Sequence, residues 1–416
     1  MDTPDPPVAR QISMYAVIQA ILSHGPTSRA DLAKTTGLSK QTISDVVLEL
    51  ETAGWLKPHG RTSGKPGRSA VVYEINAAAG LAAAIDLGGT KLSVAIGDLL
   101  GNALAETTVP TDTRGGTHVV EQIATQIEAL AAQLDVAAGQ LRIVVLGTPG
   151  VFHPETAHIM VAPNIPGIDA VDVPGLLTRR LGVPVIIEND VNLAARGEQW
   201  RGRGTGVRNF VFIALGTGVG MGIIADGHLL RGARGAAGEI GYLPVGGDPY
   251  DPRGFALGTF ETAVGSVAIT NRYAGFGGHR GATVRDIFAA LEAGEPAAIA
   301  TIEETARLVA PAIAAVGATL DPQMVILGGS IGVRPELVEA VRRFLPRCTP
   351  DPPPVEASIL GSRAGLVGAL GVAVDRMHDA LFGVGLPIPQ LLAPTARPQL
   401  AAEGPATAAS AGTLTS

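Results

Sequence analysis

Apolar residues recur with a helical period through the first fifty positions of the chain and predict three helices. The first is expected to begin near Gln11, and Ser28 and Asp31 form a capping pair for a short second helix. After a turn at Gly37, Ser39 is the predicted N-cap of the third. The apolar positions are Met14, Ile18, Ile21 and Leu22 in the first helix and Ile43, Val46, Val47 and Leu50 in the third.

Two short strands are predicted next, over residues 55–57 and 70–75, joined by a loop rich in glycine, proline and basic residues. Three helices with a glycine turn before the third, followed by a hairpin, are typical of a winged helix-turn-helix domain. The sequence therefore predicts such an α+β domain over residues 10–76.

Strand and helix patterns alternate from residue 81 to about residue 385. Helical patterns cover 117–134 and 295–320, and the buried strands read LAAAID, KLSVAIG, RIVVLG, VPVIIE, NFVFIALG and MVILGG. This alternation predicts an α/β domain with largely buried sheets. Residues 1–9 and 391–416 are rich in proline or small residues without periodicity, and we expect them to be disordered tails.

Composition excludes several classes of protein. No apolar run reaches the length of a membrane span, and residues 1–11 lack the basic and apolar regions of a signal peptide. Cys348 is the single cysteine, which excludes an internal disulfide framework and a zinc site built from several thiolates. A cytoplasmic protein without a membrane partner is expected.

Charge is distributed unevenly around a net value of −7. Residues 1–80 hold eight Lys and Arg against seven Asp and Glu, which leaves 23 against 31 in the remainder. This asymmetry favours a polyanion-binding module joined to an acidic body, although chance in a lysine-poor chain is an alternative.

The third helix and the hairpin loop carry the residues expected to contact double-stranded DNA. The start of a recognition helix reaches base edges in the major groove, and basic wing residues reach phosphates or the minor groove. The predicted DNA contacts are Ser39, Lys40, Gln41, Thr42, Ser44, Arg61, Lys65 and Arg68. A three-helix module that contacts another protein is the alternative.

Three glycine turns follow apolar strands and predict a nucleotide cleft, because glycine lets backbone N–H groups approach a phosphate. The Asp86 carboxylate in the first turn could orient Mg²⁺ or its waters. The predicted nucleotide or phosphate contacts are Asp86, Gly88, Gly89, Thr90, Lys91, Gly216, Thr217, Gly218, Gly328 and Gly329.

Glu188, Asn189 and Asp190 stand at the carboxyl end of a predicted strand, where ligands of α/β proteins bind. A carboxylate beside a carboxamide can bind sugar hydroxyls, and Asp190 could take the proton from a hydroxyl that attacks ATP. The alternative is that these residues only cap the following helix. Further polar candidates, each with a turn or surface role as its alternative, are Asn164, Glu239 and Glu261.

The order of DLGGTK, PNIPGI, ENDVNLAA, LGTGVGMG, GAAGEIG, LGGS and SILGSRAGLVGAL resembles the ROK family of repressors, open reading frames and sugar kinases. With residues 10–76, the chain is similar to the winged-helix repressors of that family. The resemblance implies a two-lobed, actin-like (ribonuclease H-like) ATPase fold over 81–385, with sugar bound between the lobes. It implies sugar contacts at Asn164, Asn189, Asp190, Glu239 and Glu261, with Asp190 as the catalytic base in kinase members.

Two departures from the family pattern affect the implied zinc site. The family's Glu-x-Gly-His ends here in Tyr242, whose hydroxyl remains a candidate sugar contact. The family's cysteine-rich stretch is replaced by PYDPRGFALGTFE, which contains no thiol. We therefore predict no zinc, and a loop held instead by packing of Tyr250, Phe255 and Phe260.

Two functions follow as hypotheses. The first is a transcription regulator, a repressor of carbohydrate metabolism genes, that binds a DNA operator as a homodimer or homotetramer and responds to a sugar or sugar phosphate. The alternative is an ATP-dependent sugar kinase of the hexokinase or glucokinase type, which would use ATP and Mg²⁺.

Overall fold

The amino-terminal module has the three helices and the hairpin that the sequence predicts. The computed structural model describes residues 8–61, 70–137, 139–153, 158–160 and 165–382. The module's elements are α1 (Val8–His24), β1 (Thr27–Ser28), α2 (Arg29–Thr36), α3 (Lys40–Thr52), β2 (Leu56–Arg61) and β3 (Val71–Ile75). α1 begins two residues before the predicted domain start, and the predicted tail 391–416 lies outside the described residues.

Local chemistry explains how these helices begin and pack. Ser28 and Asp31 form the expected capping pair, because Ser28 Oγ donates to Asp31 Oδ2 at 2.7 Å and accepts from the Asp31 N–H at 3.3 Å. The four predicted apolar positions of α3 are all fully buried. β1 was not predicted, since two residues cannot show an alternating pattern; it pairs with β3 in a sheet of order β1-β3-β2.

A first lobe of the large domain follows. Its elements are β4 (Leu81–Leu87), β5 (Lys91–Asp98), β6 (Ala103–Pro110), α4 (Gly116–Gln133), β7 (Leu141–Thr148), β8 (Val151–His153), β9 (His158–Met160), α5 (Val173–Leu181) and β10 (Val185–Asn189). The sheet order is β10-β7-β4-β5-β6. Neighbouring strands among β4, β5 and β6 pair antiparallel, whereas β7 pairs parallel with β4 and β10 pairs parallel with β7. β8 and β9 form a separate hairpin.

The second lobe repeats this order. α6 (Asp190–Arg201) leads into β11 (Phe210–Leu215), β12 (Val219–Ala225), β13 (His228–Leu229), α7 (Pro252–Leu257), α8 (Thr259–Val264), α9 (Ser266–Gly275), α10 (Val284–Glu292), α11 (Pro296–Leu320), β14 (Met324–Gly328), α12 (Gly329–Gly332), α13 (Pro335–Phe344) and β15 (Val355–Ala357). The sheet order is β13-β12-β11-β14-β15. Read from the other edge, it matches the first lobe strand for strand: the first strand of each sheet is central, the second and third lie on one side of it, and the fourth and fifth lie on the other. Two lobes of this order form the two-lobed fold that the resemblance implies.

The last helix, α14 (Ala364–Phe382), returns from the second lobe and packs on α6 and on the first-lobe sheet. The two helices touch through their backbones at Gly197 and Gly368. A Cβ atom on Gly368 would lie 1.7 Å from the Leu193 carbonyl oxygen. Arg196 and Asp375 add an ion pair of 2.7 Å between the same helices. α6 and α14 therefore form a tightly packed pair between the lobes.

The amino-terminal module is seated on the first lobe. One continuous buried cluster joins Val17 and Leu50 of the module to Val145 in β7 and Leu370 in α14. The Arg142 guanidinium also lies 5.7 Å from the centre of the Trp55 ring. The module and the large domain therefore share one hydrophobic core. Within the described ranges, no helix combines the length and the apolar character needed to cross a bilayer.

Candidate functional site

Four carboxylates from both lobes meet between them. Asp86 lies near the end of β4 and Asp190 begins α6, whereas Glu239 and Glu261 come from the second lobe. Burial raises the pKa of both Asp190 and Glu239; repulsion by Asp86 and Glu239 adds to the shift at Asp190, and repulsion by Glu261 adds to that at Glu239. The tertiary structure thus brings together acidic residues that stand up to 175 positions apart, a span set by Asp86 and Glu261.

Asp190 is the most strongly perturbed of these groups. Loss of water and then the charge of Asp86 raise its pKa from 3.8 to about 7, against the opposing bond from the Val191 N–H. A carboxyl group that titrates near neutral pH can accept a proton from a hydroxyl group and release it again. Asp190 therefore has the acidity expected of a general base.

Asn189 caps α6, as the structural alternative predicted. Its Oδ1 accepts hydrogen bonds from the N–H groups of Val191 and Asn192, both at 3.0 Å, and its Nδ2 donates to the Gly150 carbonyl at 3.1 Å. These bonds occupy most of the amide's hydrogen-bonding capacity. The other predicted asparagine contact, Asn164, lies outside the described residues.

Glu261 connects two loops of the second lobe. Its Oε2 accepts the Val219 N–H at 2.9 Å, and a Cβ atom on Gly218 would lie 2.8 Å from the same oxygen. On its other side, a Cβ atom on Gly241 would lie 3.5 Å from the Glu261 Cβ. Burial raises the pKa of Glu261, and the bond from Val219 lowers it. One carboxylate thus lies between the glycine turn at 216–218 and the loop that carries Glu239.

The second and third glycine turns meet. A Cβ atom on Gly216 would lie 3.5 Å from Ser330 Oγ. Gly329 has φ +76°, and a Cβ atom there would lie 2.3 Å from the Leu215 carbonyl oxygen, so only glycine fits. Thr217 is exposed at the tip of the second turn. Gly328 is buried against the Phe212 ring, and Gly216, Gly218 and Gly329 are partly buried, so the two turns meet at the surface only through Thr217 and Ser330.

The first glycine turn lies in the other lobe beside Asp86. The Gly88 N–H donates to the Lys91 carbonyl at 2.9 Å, and Thr111 Oγ1 donates to the Gly88 carbonyl at 2.7 Å. Burial raises the pKa of Asp86, and the Lys91 charge lowers it. A Cβ atom on Gly365 would lie 3.1 Å from the Asp86 carboxylate, so the first turn of α14 packs directly against this group.

The loop before Glu261 does not supply zinc ligands. Residues 249–261 contain neither cysteine nor histidine, and no group of three His, Cys, Asp or Glu side chains suited to a metal ion occurs in the described ranges. Phe260 is fully buried, as predicted, but Tyr250 and Phe255 are 91% and 84% exposed. The packing prediction was therefore wrong for those two aromatic residues, because their positions on and before α7 face away from the core. Tyr242 is 49% exposed.

The candidate DNA-binding surface presents a few side chains from α3 and β2. Lys40, Gln41 and Arg61 are exposed, whereas Thr42 and Ser44 are partly buried. Ser39 Oγ accepts the Thr42 N–H at 3.1 Å, which confirms the predicted N-cap. The Gln41 amide donates to Asp45 Oδ1 at 2.9 Å. Lys65 and Arg68 lie outside the described residues.

Sequence reasoning missed one residue that joins the two lobes. Arg231 Nε donates to Glu188 Oε2 at 2.7 Å, and the two residues belong to different lobes. The position of Arg231 directly before the glycine-rich segment 232–241 could have identified it as a candidate. Nothing in the sequence indicated that its partner is Glu188, which lies 43 positions away.

Comparisons with known proteins give two kinds of relative. Residues 82–376 match the model of the ROK family. A glucokinase of Halalkalibacterium halodurans is 30% identical over 71% of this chain and 96% of its own length. A xylose repressor of Caldicellulosiruptor bescii is 28% identical over 57% of this chain and 59% of its own length.

A solved structure covers more of the chain. The crystal structure of a ROK family transcriptional regulator, a homologue of the E. coli MLC protein, superimposes with a TM-score of 0.73 over 90% of this chain and 98% of its own, at 24% identity. This likeness shows the fold. The predicted fold class and the family resemblance are therefore confirmed.

Proposed function

We propose that this chain, which belongs to the ROK family, is a DNA-binding transcription regulator, a repressor whose effector is a sugar or sugar phosphate. One observation carries the proposal: a three-helix module with the exposed residues Lys40 and Gln41 at the start of α3 is packed onto the large domain. Phosphoryl transfer to a sugar does not need such a module, with or without DNA binding, whereas a regulator uses one to reach the major groove.

The acidic site supports the effector part of the proposal. Carboxylates accept hydrogen bonds from sugar hydroxyls, and the carboxylates from both lobes would contact a sugar from two sides. The proposed sugar contacts are Asn164, Asn189, Asp190, Glu239, Tyr242 and Glu261. Asn189 has little free hydrogen-bonding capacity, because it caps α6.

Binding selection with random DNA duplexes tests the regulator directly, because the operator is unknown. The proposal expects enrichment of a two-fold symmetric site that binds far more tightly than random DNA, with affinity that changes on adding D-xylose, D-glucose or their phosphates. A homodimer or homotetramer is expected by light scattering. Failure to enrich any sequence would contradict the proposal.

A sugar kinase is the second candidate, and a specific observation favours it. Asp190 combines a pKa of about 7 with a position beside Asp86 and Glu239, whose charges help to raise that pKa after burial has done so. The residues present fit ATP and Mg²⁺: Asp86 would hold the ion, and the turns at 88–91, 216–218 and 328–329 would hold the phosphates. Bound ATP would supply the phosphoryl group, while Asp190 would take the proton from the sugar hydroxyl.

ADP release separates this candidate from the first. Purified protein with ATP, Mg²⁺ and D-glucose or D-xylose should form ADP only if the kinase candidate is correct. In that case the Asp190→Asn variant should lose turnover by about a hundredfold or more, because general-base catalysis contributes on that scale. Sugar-dependent DNA binding without ADP release would assign the chain to regulation alone.

A further inference from the structure

The ion pair between Glu188 and Arg231 spans the two lobes beside the proposed sugar site. Glu188 is the second-to-last residue of β10 and lies two residues before Asp190. Arg231 lies in the second lobe, two residues after β13. The pair joins Arg231 Nε to Glu188 Oε2 at 2.7 Å.

Glu188 is held on both carboxylate oxygens. Its Oε1 accepts the Asn189 N–H at 3.1 Å and the Asn192 Nδ2 at 3.0 Å, while Oε2 accepts from Arg231. The Glu188 side chain is only 13% exposed, against 53% for Arg231. The acceptor is therefore held in place by bonds other than the one to Arg231, which lowers the entropy lost on pairing.

Arg231 is anchored on its own side as well. The Leu230 N–H donates to the Ile223 carbonyl at 2.9 Å, and the Arg231 carbonyl accepts the Ala237 N–H at 3.0 Å. The loop then returns to the sheet, where the Gly238 carbonyl accepts the Met221 N–H at 3.0 Å, one residue before Glu239. A displacement of Arg231 would thus be transmitted to the loop that carries Glu239.

We propose that Glu188 and Arg231 form a latch that holds the lobes closed and positions Asp190 and Glu239 on opposite sides of the ligand. Both are positioning residues, since they act through their neighbours. The pair is charge-assisted but half exposed, so it is weak enough to open when a ligand enters or leaves. That the ligand is a sugar rests on the proposed function; the latch itself does not.

Distances between spin labels on the two lobes test the latch without any ligand. The native Cys348 is exposed in the second lobe, and Gln133→Cys would add a label at the exposed end of α4 in the first. Dilution with unlabelled protein removes distances between different molecules. In the Arg231→Ala variant, the distribution of distances between the two labels should be broader and shifted to longer values than in the labelled protein with the native ion pair.

Two further variants identify the cause. Glu188→Gln keeps an acceptor for Asn192 but loses the charge, and should broaden the distribution as Arg231→Ala does, with no further change in the double variant. Arg307→Ala is the matched control, because Arg307 pairs with Glu304 within one helix of the second lobe. Unchanged distances in Arg231→Ala, or equal broadening in Arg307→Ala, would overturn the latch.

Sugar binding gives a second readout. With D-xylose or D-glucose as the probe, Arg231→Ala should raise Kd about fivefold, chiefly through faster dissociation, and Arg231→Lys should restore part of the loss. If wild-type protein binds neither sugar nor its phosphate, the proposed effector is wrong, and the label distances still decide the latch. If the Arg231→Ala variant binds the sugar and releases it at the wild-type rate, the latch is overturned.

Discussion

The Glu261 carboxylate accepts the amide N–H of Val219 at 2.9 Å, and through this bond α8 is joined to the glycine turn at 216–218. The same side chain lies against Gly241 in the loop that carries Glu239. Any ligand that moves Glu261 must therefore disturb both loops. The Glu261 carboxylate therefore links the proposed phosphate contacts at 216–218 to the loop that carries the proposed sugar contact Glu239.

Replacing Glu261 should loosen the glycine turn. Glu261→Ala removes the acceptor of the Val219 N–H, so amide exchange across 216–219 should accelerate and sugar affinity should fall by about tenfold. Hydrogen exchange read by mass spectrometry and calorimetric titration measure the two effects. Glu304→Ala, on the surface of α11, is the control; protection of 216–219 equal to wild type in Glu261→Ala would contradict the prediction.

Stability should depend on pH through Asp190. Because its pKa is raised from 3.8 to about 7 in the folded protein, the folded state holds a proton that the unfolded state has lost between these values. The free energy of unfolding should therefore fall as pH rises from about 4 to 7 and stay reduced above that.

The Asp190→Asn variant should lack this contribution. It should be more stable than wild type by about 1–4 kcal/mol at pH 8 and nearly equal to it at pH 4. Denaturant unfolding across this pH range measures the difference. A constant difference at all pH values would show that the carboxyl group is not perturbed by its surroundings.

The contact between α6 and α14 should tolerate no side chain. Gly368→Ala would place a Cβ atom 1.7 Å from the Leu193 carbonyl oxygen, so it should destabilise by about 3 kcal/mol or more. Gly317→Ala, within α11, meets nothing closer than 3.7 Å and should stabilise by about 0.5–1 kcal/mol. Thermal unfolding compares the two; equal effects would contradict the close helix contact.

The interface between the amino-terminal module and α14 contains an unsatisfied hydroxyl group. Tyr15 Oη is buried with no hydrogen-bond partner among the residues described, and burial, followed by the charge of Asp379, raises its pKa. Tyr15→Phe should therefore stabilise by up to about 1 kcal/mol. Tyr273→Phe is the matched contrast, because it loses a bond of 2.8 Å to Glu295 and should destabilise. A loss of stability in Tyr15→Phe would reveal a partner for its hydroxyl.

Variants of α3 should separate affinity from sequence preference. Lys40→Ala should weaken binding to all DNA duplexes and reduce the slope of log affinity against log salt by about 1. Gln41→Ala should instead change which bases are selected. Fluorescence anisotropy on the selected duplex measures both. Lys34→Ala on α2 is the control, since Lys34 pairs with Asp31 outside the recognition helix; equal losses from Lys34→Ala and Lys40→Ala would contradict the assignment.

Local interactions made most elements predictable. The cap at Ser28 and the apolar period of α3 depend only on neighbours within one or two turns, and both are present as predicted. β6 was missed because its polar, alternating residues lie at a sheet edge, and β12 because its glycines weaken the strand pattern. Those glycines exist for a tertiary reason, since Gly220 and Gly222 pack against α6.

The sequence by itself determined most of the elements, the family, and the residue types available for the proposed binding of sugar, phosphate and DNA, because caps, apolar periods and motif order depend on short segments of the chain. Only the tertiary structure decided that the pKa of Asp190 is raised to about 7, that Glu188 pairs with Arg231, and that the amino-terminal module shares a core with the large domain. Each of these depends on burial or on contacts between distant segments, and neither quantity exists until the chain has folded.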